Sequence, residues 1–209
     1  MSIREQKRSL RQRAILLAAA NTFRAKGIEA SKMEEIAMAA NVSPGTVYNY
    51  FPTKDELVRS LTDLYRLDVT EQRLCVLENP EFTPLQAFNE LYRLWIDGAE
   101  LYLSREVWRY GQMVGLISSS PESRHAAWLY ETDLIHSQEQ LLQFQVKIGH
   151  LPSSTPCESV AKSLHAIGFY WWMHYLGNDN VSSAYAIAQI SQQFEMIFKA
   201  INSTRATTP

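Results

Sequence analysis

Cysteine is nearly absent from this chain of 209 residues: Cys75 and Cys157 stand far apart, with no C-x-x-C pair and no Cys/His ligand spacing. The pattern argues against a disulfide framework and reads as two reduced thiols. Long apolar runs are also missing. No stretch approaches the roughly 18 residues a bilayer span requires, and the basic N-terminal residues are not followed by the apolar core of a secretory leader. The expectation is a cytoplasmic protein with no membrane partner. There is no period-two alternation of useful length, no internal repeat and no low-complexity tract. Catalytic signatures are lacking too. The chain has no G-x-S-x-G, no H-E-x-x-H and no phosphate-binding glycine loop, and its acidic residues are scattered. Its five histidines, His125, His136, His150, His165 and His174, never fall four apart. The sequence therefore predicts no enzyme, no metal and no cofactor.

Excess positive charge is lacking as well, since the net charge is -2. The average conceals a division. Residues 1–54 carry nine Lys or Arg against four acids, a net of about +5, which leaves about -7 for the remainder. A compact positive module on an acidic body suits docking to DNA at one end, because phosphate contacts dominate affinity. With 46% hydrophobic residues the chain can bury a proper core.

What is present is helical periodicity. Residues 1–9 are polar and charged and read as an arm. From about Leu10 to Lys26, Ile15, Ala19 and Phe23 recur at helical spacing, with Gly27 placed to stop the helix. Ser31 and Glu34 form an S-x-x-E capping pattern before a two-turn helix through Met33, Ile36, Ala37 and Ala40. Asn41 suits a left-handed turn. Ser43 suits an N-cap and Pro44 a first helical position, so a short helix starts there. Val47 and Phe51 anchor it inward, leaving Thr46, Tyr48, Asn49 and Tyr50 to meet something outside. The connection has the length of a helix-turn-helix.

Pro52 closes that helix, and T-x-x-E at Thr53 and Glu56 opens a longer one, expected to reach about Leu77. A turn at 79–83 precedes amphipathic helices over about 85–103 and 107–117. Residues 118–121 break the pattern before a helix over about 122–148, and the two-proline stretch 149–156 is a loop. The helix over 157–176 is apolar nearly all round in its last turns. The final helix, about 181–202, carries Ile187, Ile190, Ser191, Phe194, Ile197 or Phe198, and Ile201 on one stripe. With the small residues Gly168, Ala184 and Ala188, the two helices form a hairpin suited to pack on its own body and on a second copy of the chain, giving a homodimer.

The motifs A-x-x-x-F-x-x-x-G (19–27), I-A-x-A-A-N-V-S (36–43), G-T-V-Y-N-Y-F (45–51) and T-K-D-E-L (53–57) together resemble the DNA-binding region of the TetR (tetracycline-repressor) family of transcriptional regulators. The resemblance covers roughly residues 10–60. It implies an all-α fold with a three-helix helix-turn-helix domain over 1–52 and a larger helical effector-binding and dimerisation domain over 53–209. It implies a homodimeric repressor released from near-palindromic, double-stranded operator DNA by a small molecule. The DNA-contacting set it implies is Lys32, Ser43, Pro44, Gly45, Thr46, Tyr48, Asn49, Tyr50 and Lys54, with Tyr50 and Lys54 on phosphates and Pro44 and Asn49 distinguishing bases. Three positions depart from the family pattern. Asn41 stands where Gly is common, Lys32 where Thr is common, and Glu34 where a basic residue is common. The Glu34 carboxylate could accept from a cytosine or serve the helix cap, and the cap is the favoured reading.

For the effector, Trp95, Tyr102, Trp108, Met113, Trp128, Phe169, Trp172 and His174 are candidates to line a cavity for an apolar or aromatic molecule, against the alternative that they fill the core. A second functional reading keeps the DNA-binding module but gives it a protein partner and no small-molecule effector.

Overall fold

The computed structural model describes residues 2–68, 70–117 and 121–203, and these form helices without any strand. In chain order they are α1 (Ile3–Lys26), α2 (Met33–Ala39), α3 (Pro44–Tyr50), α4 (Lys54–Asp68), α5 (Thr70–Leu77), α6 (Pro84–Tyr102), α7 (Arg105–Ile117), α8 (Pro121–Lys147), α9 (Cys157–Gly177) and α10 (Ser183–Ser203). The all-α expectation holds. Residues 69 and 118–120, on which the continuous helix to Leu77 and most of the break before α8 depend, lie outside the described residues. By compactness the chain divides into two units. One is Met1–Leu67 with Glu100–Ser118, the other Asp68–Ala99 with Ser119–Pro209, so the line expected between residues 52 and 53 falls inside the first.

In the first unit, the expected arm at residues 1–9 is instead helix from Ile3 onward. The reason is a reciprocal cap. The Glu5 N–H donates to Ser2 Oγ at 3.2 Å, and the Ser2 N–H donates to Glu5 Oε2 at 2.6 Å. Ile15, Leu16, Ala19 and Phe23 bury the inner face of α1, and Gly27 ends it at φ 81, a conformation that suits glycine. The start of α2 also differs from expectation. The Ser31 hydroxyl, buried, donates to the Gly27 carbonyl, so it is not available as a cap. Lys32 becomes the N-cap, and its N–H donates to Glu35 Oε2 at 3.0 Å. The cap thus sits one residue later than Ser31 and Glu34 suggested, and Glu35 is also paired with Lys26 at 2.6 Å. Burial of Val47, Phe51, Leu57, Val58, Leu61 and Tyr65 carries the core onward to Val107 and Trp108 of α7, where Tyr65 meets Trp108 edge-on at 5.0 Å.

The second unit is built on ring packing. Phe88 and Tyr92 of α6 meet Phe194 of α10 at 5.8 and 5.1 Å, and Trp95 meets Trp172 of α9 at 5.6 Å. α9 packs on both α8 and α10. Its buried face is Val160, Ala161, Leu164, His165, Gly168, Trp172, Tyr175 and Leu176; Tyr170 and Met173 face out. On α10 the buried residues are Ala186, Ile190, Phe194 and Phe198, four apart, so of the expected stripe Ile187, Ser191, Ile197 and Ile201 sit only half-buried at its edge. The loop after α8 is held down by Leu151, which is buried.

Candidate nucleic-acid interface and interior cleft

Asn41 takes φ 55, the left-handed turn its side chain tolerates, and so lets α3 leave α2 at once. Ser43 caps α3, its Oγ accepting the Thr46 N–H at 3.2 Å and lying 2.8 Å from the Thr46 hydroxyl, and Pro44 occupies the first turn. With Val47 and Phe51 buried, the opposite side presents Pro44, Gly45, Tyr48 and Asn49 exposed, with Thr46 and Tyr50 half-exposed. Hydroxyls and a carboxamide on a helix anchored from behind can reach phosphate oxygens and base edges.

Glu34 neither caps α2 nor stands alone. Its carboxylate accepts the Tyr48 hydroxyl at 3.3 Å. Desolvation and then the Glu34 charge raise the Tyr48 hydroxyl above its ordinary range, keeping it a donor. Lys32 is exposed. The Lys54 ammonium, half-buried, donates to the carbonyls of Ile28 at 2.9 Å and Glu29 at 3.1 Å and so ties down the α1–α2 loop. The same loop is held from α7, where Glu106 Oε1 accepts the Ile28 N–H at 2.9 Å.

A feature that reasoning from the sequence did not find lies beside α3. Arg4, Lys7, Arg8 and Arg11, spaced as one face of α1, line an open groove together with Asn49 and Tyr50, and the Arg8 guanidinium lies 6.0 Å from the centre of the Tyr50 ring. The missed signal was the S-x-x-E pattern of Ser2 and Glu5, which makes these residues helical.

Tyr110 donates to Asp55 Oδ1 at 2.7 Å, joining α7 to α4 within the first unit. This bond, with partial burial, pushes the Tyr110 hydroxyl up from 10.0 to about 12. Between those values the unfolded chain has lost a proton that the folded chain keeps, so stability falls as pH rises through that window. Tyr110→Phe is expected to remove this part of the alkaline loss, read from melting temperature against pH beside a tyrosinate absorbance titration.

Of the eight aromatic-site candidates, Trp95, Phe169 and Trp172 gather around α9, with Trp95 against Trp172 and both Trp95 and Phe169 stacked on His165. Trp108 is buried in the first unit's core and Met113, in that unit, is about half exposed. The Tyr102 side chain lies outside the described residues. In the second unit Trp128 is 69% exposed, and His174 stacks on Tyr170 at 6.1 Å near the surface. Trp172, fully buried, and Phe169, which stacks on His165 at 6.2 Å, belong to the packing around α9. Of the seven candidates whose side chains are described, Trp95 lines the second unit's cleft. Its other walls are Arg73, Leu91, Tyr92, Leu94, Tyr130, Leu134 and Gln138; it is partly open, and its free space of about 20 Å³ is little more than one water needs.

Beneath the cleft runs a buried polar chain. His165 Nε2 lies 3.0 Å from Glu131 Oε2, which as a carboxylate can only accept, so Nε2 carries a proton. Gln138 Nε2 lies 3.2 Å from His165 Nδ1 and 3.2 Å from the Tyr92 hydroxyl, and the hydroxyl donates onward to the Leu164 carbonyl at 3.3 Å. Burial pushes the Tyr92 hydroxyl far up, so it stays protonated. Gln138 thus faces both the His165 ring and the Tyr92 hydroxyl with its amide nitrogen. Its Oε1 remains buried with no hydrogen-bond partner among the described residues, an omission that costs about 1–3 kcal/mol. Among the described residues no three His, Cys, Asp or Glu side chains gather to hold a metal ion, and no helix is long and apolar enough to cross a membrane.

Residues 15–61 match the family model described as bacterial regulatory proteins, tetR family. The transcriptional regulator RutR of Escherichia coli (strain K12) is 32% identical over 98 residues, which cover 45% of this chain and 43% of RutR, so the chain spans less than half the length of that relative. A TetR/AcrR-family regulator from Thermobifida fusca has the same fold at a TM-score of 0.67 and 17% identity, covering 87% of this chain and 94% of its own. The FadR repressor of Thermus thermophilus, solved in complex with lauroyl-CoA, matches at a TM-score of 0.61 and 20% identity, covering 88% and 92%.

Proposed function

Through residues 15–61 the chain belongs to the TetR family of bacterial regulatory proteins, and from that premise we propose that it is a homodimeric repressor of transcription, released from its operator by a small apolar or aromatic effector. The observation that carries the DNA-binding half is α3: a capped, internally anchored helix whose Tyr48 and Asn49 are exposed beside a basic groove. Two such helices, one per protomer, enter successive major grooves and read half-sites about one helical turn apart. Lys32, Ser43, Pro44, Gly45, Thr46, Tyr48, Asn49 and Tyr50 face the DNA; the remaining ammonium proton of Lys54 serves a phosphate while the other two hold the loop.

The dimer forms through α9 and α10. Support comes from their outer side, where Tyr170, Met173, Tyr185 and Met196 are exposed and the Trp171 Nε1 is buried without a hydrogen-bond partner among the described residues. Effector binding favours a state of the dimer whose recognition helices no longer match the half-site spacing, which requires unequal affinity for the two states. The lauroyl-CoA complex of FadR supports a small molecule as effector on this fold.

The test is binding to DNA from the protein's own promoter region as salt is raised. Wild type is expected to protect a near-palindromic site with salt-sensitive affinity. Tyr48→Ala with Asn49→Ala is expected to weaken that binding on the order of 10-fold to 100-fold, while binding to unrelated DNA changes little. Equal loss on both DNAs, or no salt-sensitive binding by wild type, would sink the reading.

A further inference from the structure

We infer that Glu34 reads the amino group of a cytosine in the major groove, with Tyr48 holding its carboxylate in place, so that each half-site carries one cytosine selected by this pair. The inference rests on the DNA-binding reading above and deepens it by naming a base and the side chain that chooses it.

Glu34 is exposed and takes no part in capping α2, because Glu35 accepts the Lys32 N–H and pairs with Lys26. Among the described residues the Glu34 carboxylate accepts one hydrogen bond, from the Tyr48 hydroxyl at 3.3 Å, and makes no ion pair. That bond tethers it to the outward face of α3, where Tyr48 and Asn49 are exposed. A carboxylate without a cation at a DNA-facing surface is repelled by phosphates, so what it contributes is a choice between partners. The choice follows from hydrogen-bond polarity. The carboxylate has no proton to donate, and the proton of the Tyr48 hydroxyl is already given to Glu34, so the pair offers acceptors alone. In the major groove guanine shows two acceptors, thymine an acceptor and a methyl group, and adenine an acceptor beside its amine. Cytosine shows only its amine. An all-acceptor pair therefore favours cytosine and disfavours the other three bases.

Sites are selected by the full chain from a random-sequence duplex library, and affinities for them are read by fluorescence anisotropy. At one position in each half-site wild type is expected to take cytosine and to lose about 5-fold to 100-fold on any other base. The same loss is expected when that cytosine is replaced by 2-pyrimidinone, which keeps the ring and lacks the amino group. Glu34→Gln preserves the shape and an acceptor for Tyr48 but puts an amide nitrogen where the second carboxylate oxygen was. It should lose the cytosine preference at that position, with an unchanged melting temperature. Tyr48→Phe keeps the carboxylate, removes its tether and should weaken the preference at the same position. A mere brace between α2 and α3 predicts otherwise: Glu34→Gln would select the wild-type site unchanged, which would overturn the inference. So would a preference undiminished in Tyr48→Phe, or tolerance of 2-pyrimidinone by wild type, an arm that needs no variant to fold. Selection of no site by wild type would defeat the DNA-binding reading and this inference together.

Discussion

Gly168→Ala is expected to lower the stability of the second unit by about 3 kcal/mol or more, seen as a fall of roughly 6–12 °C in its thermal transition. A Cβ at this position would lie 1.9 Å from Tyr92 Cε1, 2.3 Å from Cζ and 2.5 Å from the hydroxyl oxygen. The ring has little room to retreat. Tyr92 is 1% exposed and lies against Trp95 at 5.4 Å and Phe194 at 5.1 Å. Helix propensity alone would favour alanine by about 1 kcal/mol, so the sign of the result decides between propensity and packing. Gly177→Ala, at the end of the same helix where nothing lies within 4 Å, is the control and should change stability little. The clash carries a functional corollary. Displacing Tyr92 breaks its bond with Gln138, so Gly168→Ala should also loosen the orientation of that amide.

Replacing Arg4, Lys7, Arg8 and Arg11 together by Gln is expected to reduce promoter DNA affinity on the order of 100-fold or more near physiological salt. It should also flatten the dependence of log affinity on log salt by about 0.9 for each phosphate that is no longer neutralised. The four side chains line the groove that also contains Asn49 and Tyr50 of the recognition helix, so they extend the same surface. Gln is a good helix former and Glu5 keeps its cap, so α1 should survive, which circular dichroism and an unchanged melting temperature would establish. A fall in affinity with an unchanged salt slope would mean that these residues act by another route than binding phosphates.

The recognition helix was legible because its signals are local and mutually consistent. Asn41 at the turn, Ser43 at the cap, Pro44 after it and the Val47–Phe51 anchor lie within eleven residues, and each has the conformation or burial its chemistry dictates. Where two residues competed for one role, local pattern was a weaker guide. Ser31 resembles a cap, but the Gly27 carbonyl four residues earlier captures its hydroxyl, and Glu35 rather than Glu34 then serves Lys32. The cleft was illegible for a different reason. Tyr92, Gln138, His165 and Glu131 come from three helices, with 27 to 72 residues between bonded partners, and each looks ordinary in its own helix. Aromatic residues at helical spacing are common to cores and cavities, so Trp95 could not be separated from Trp108 or Trp128 without the packing.

The fastening of the loop between α1 and α2 bears on how this protein could be recombined with its relatives. Lys54 grips the carbonyls of Ile28 and Glu29, Glu106 grips the Ile28 N–H from 78 residues away, and Arg24 reaches the Leu101 carbonyl at 3.1 Å. A chimera joined just after the helix-turn-helix would inherit the reading surface while leaving those fastenings in the discarded half. To move the DNA specificity of this chain onto another body, the transplanted parts must include residues 100–118 as well as the N-terminal segment, a discontinuous graft in place of a simple head exchange.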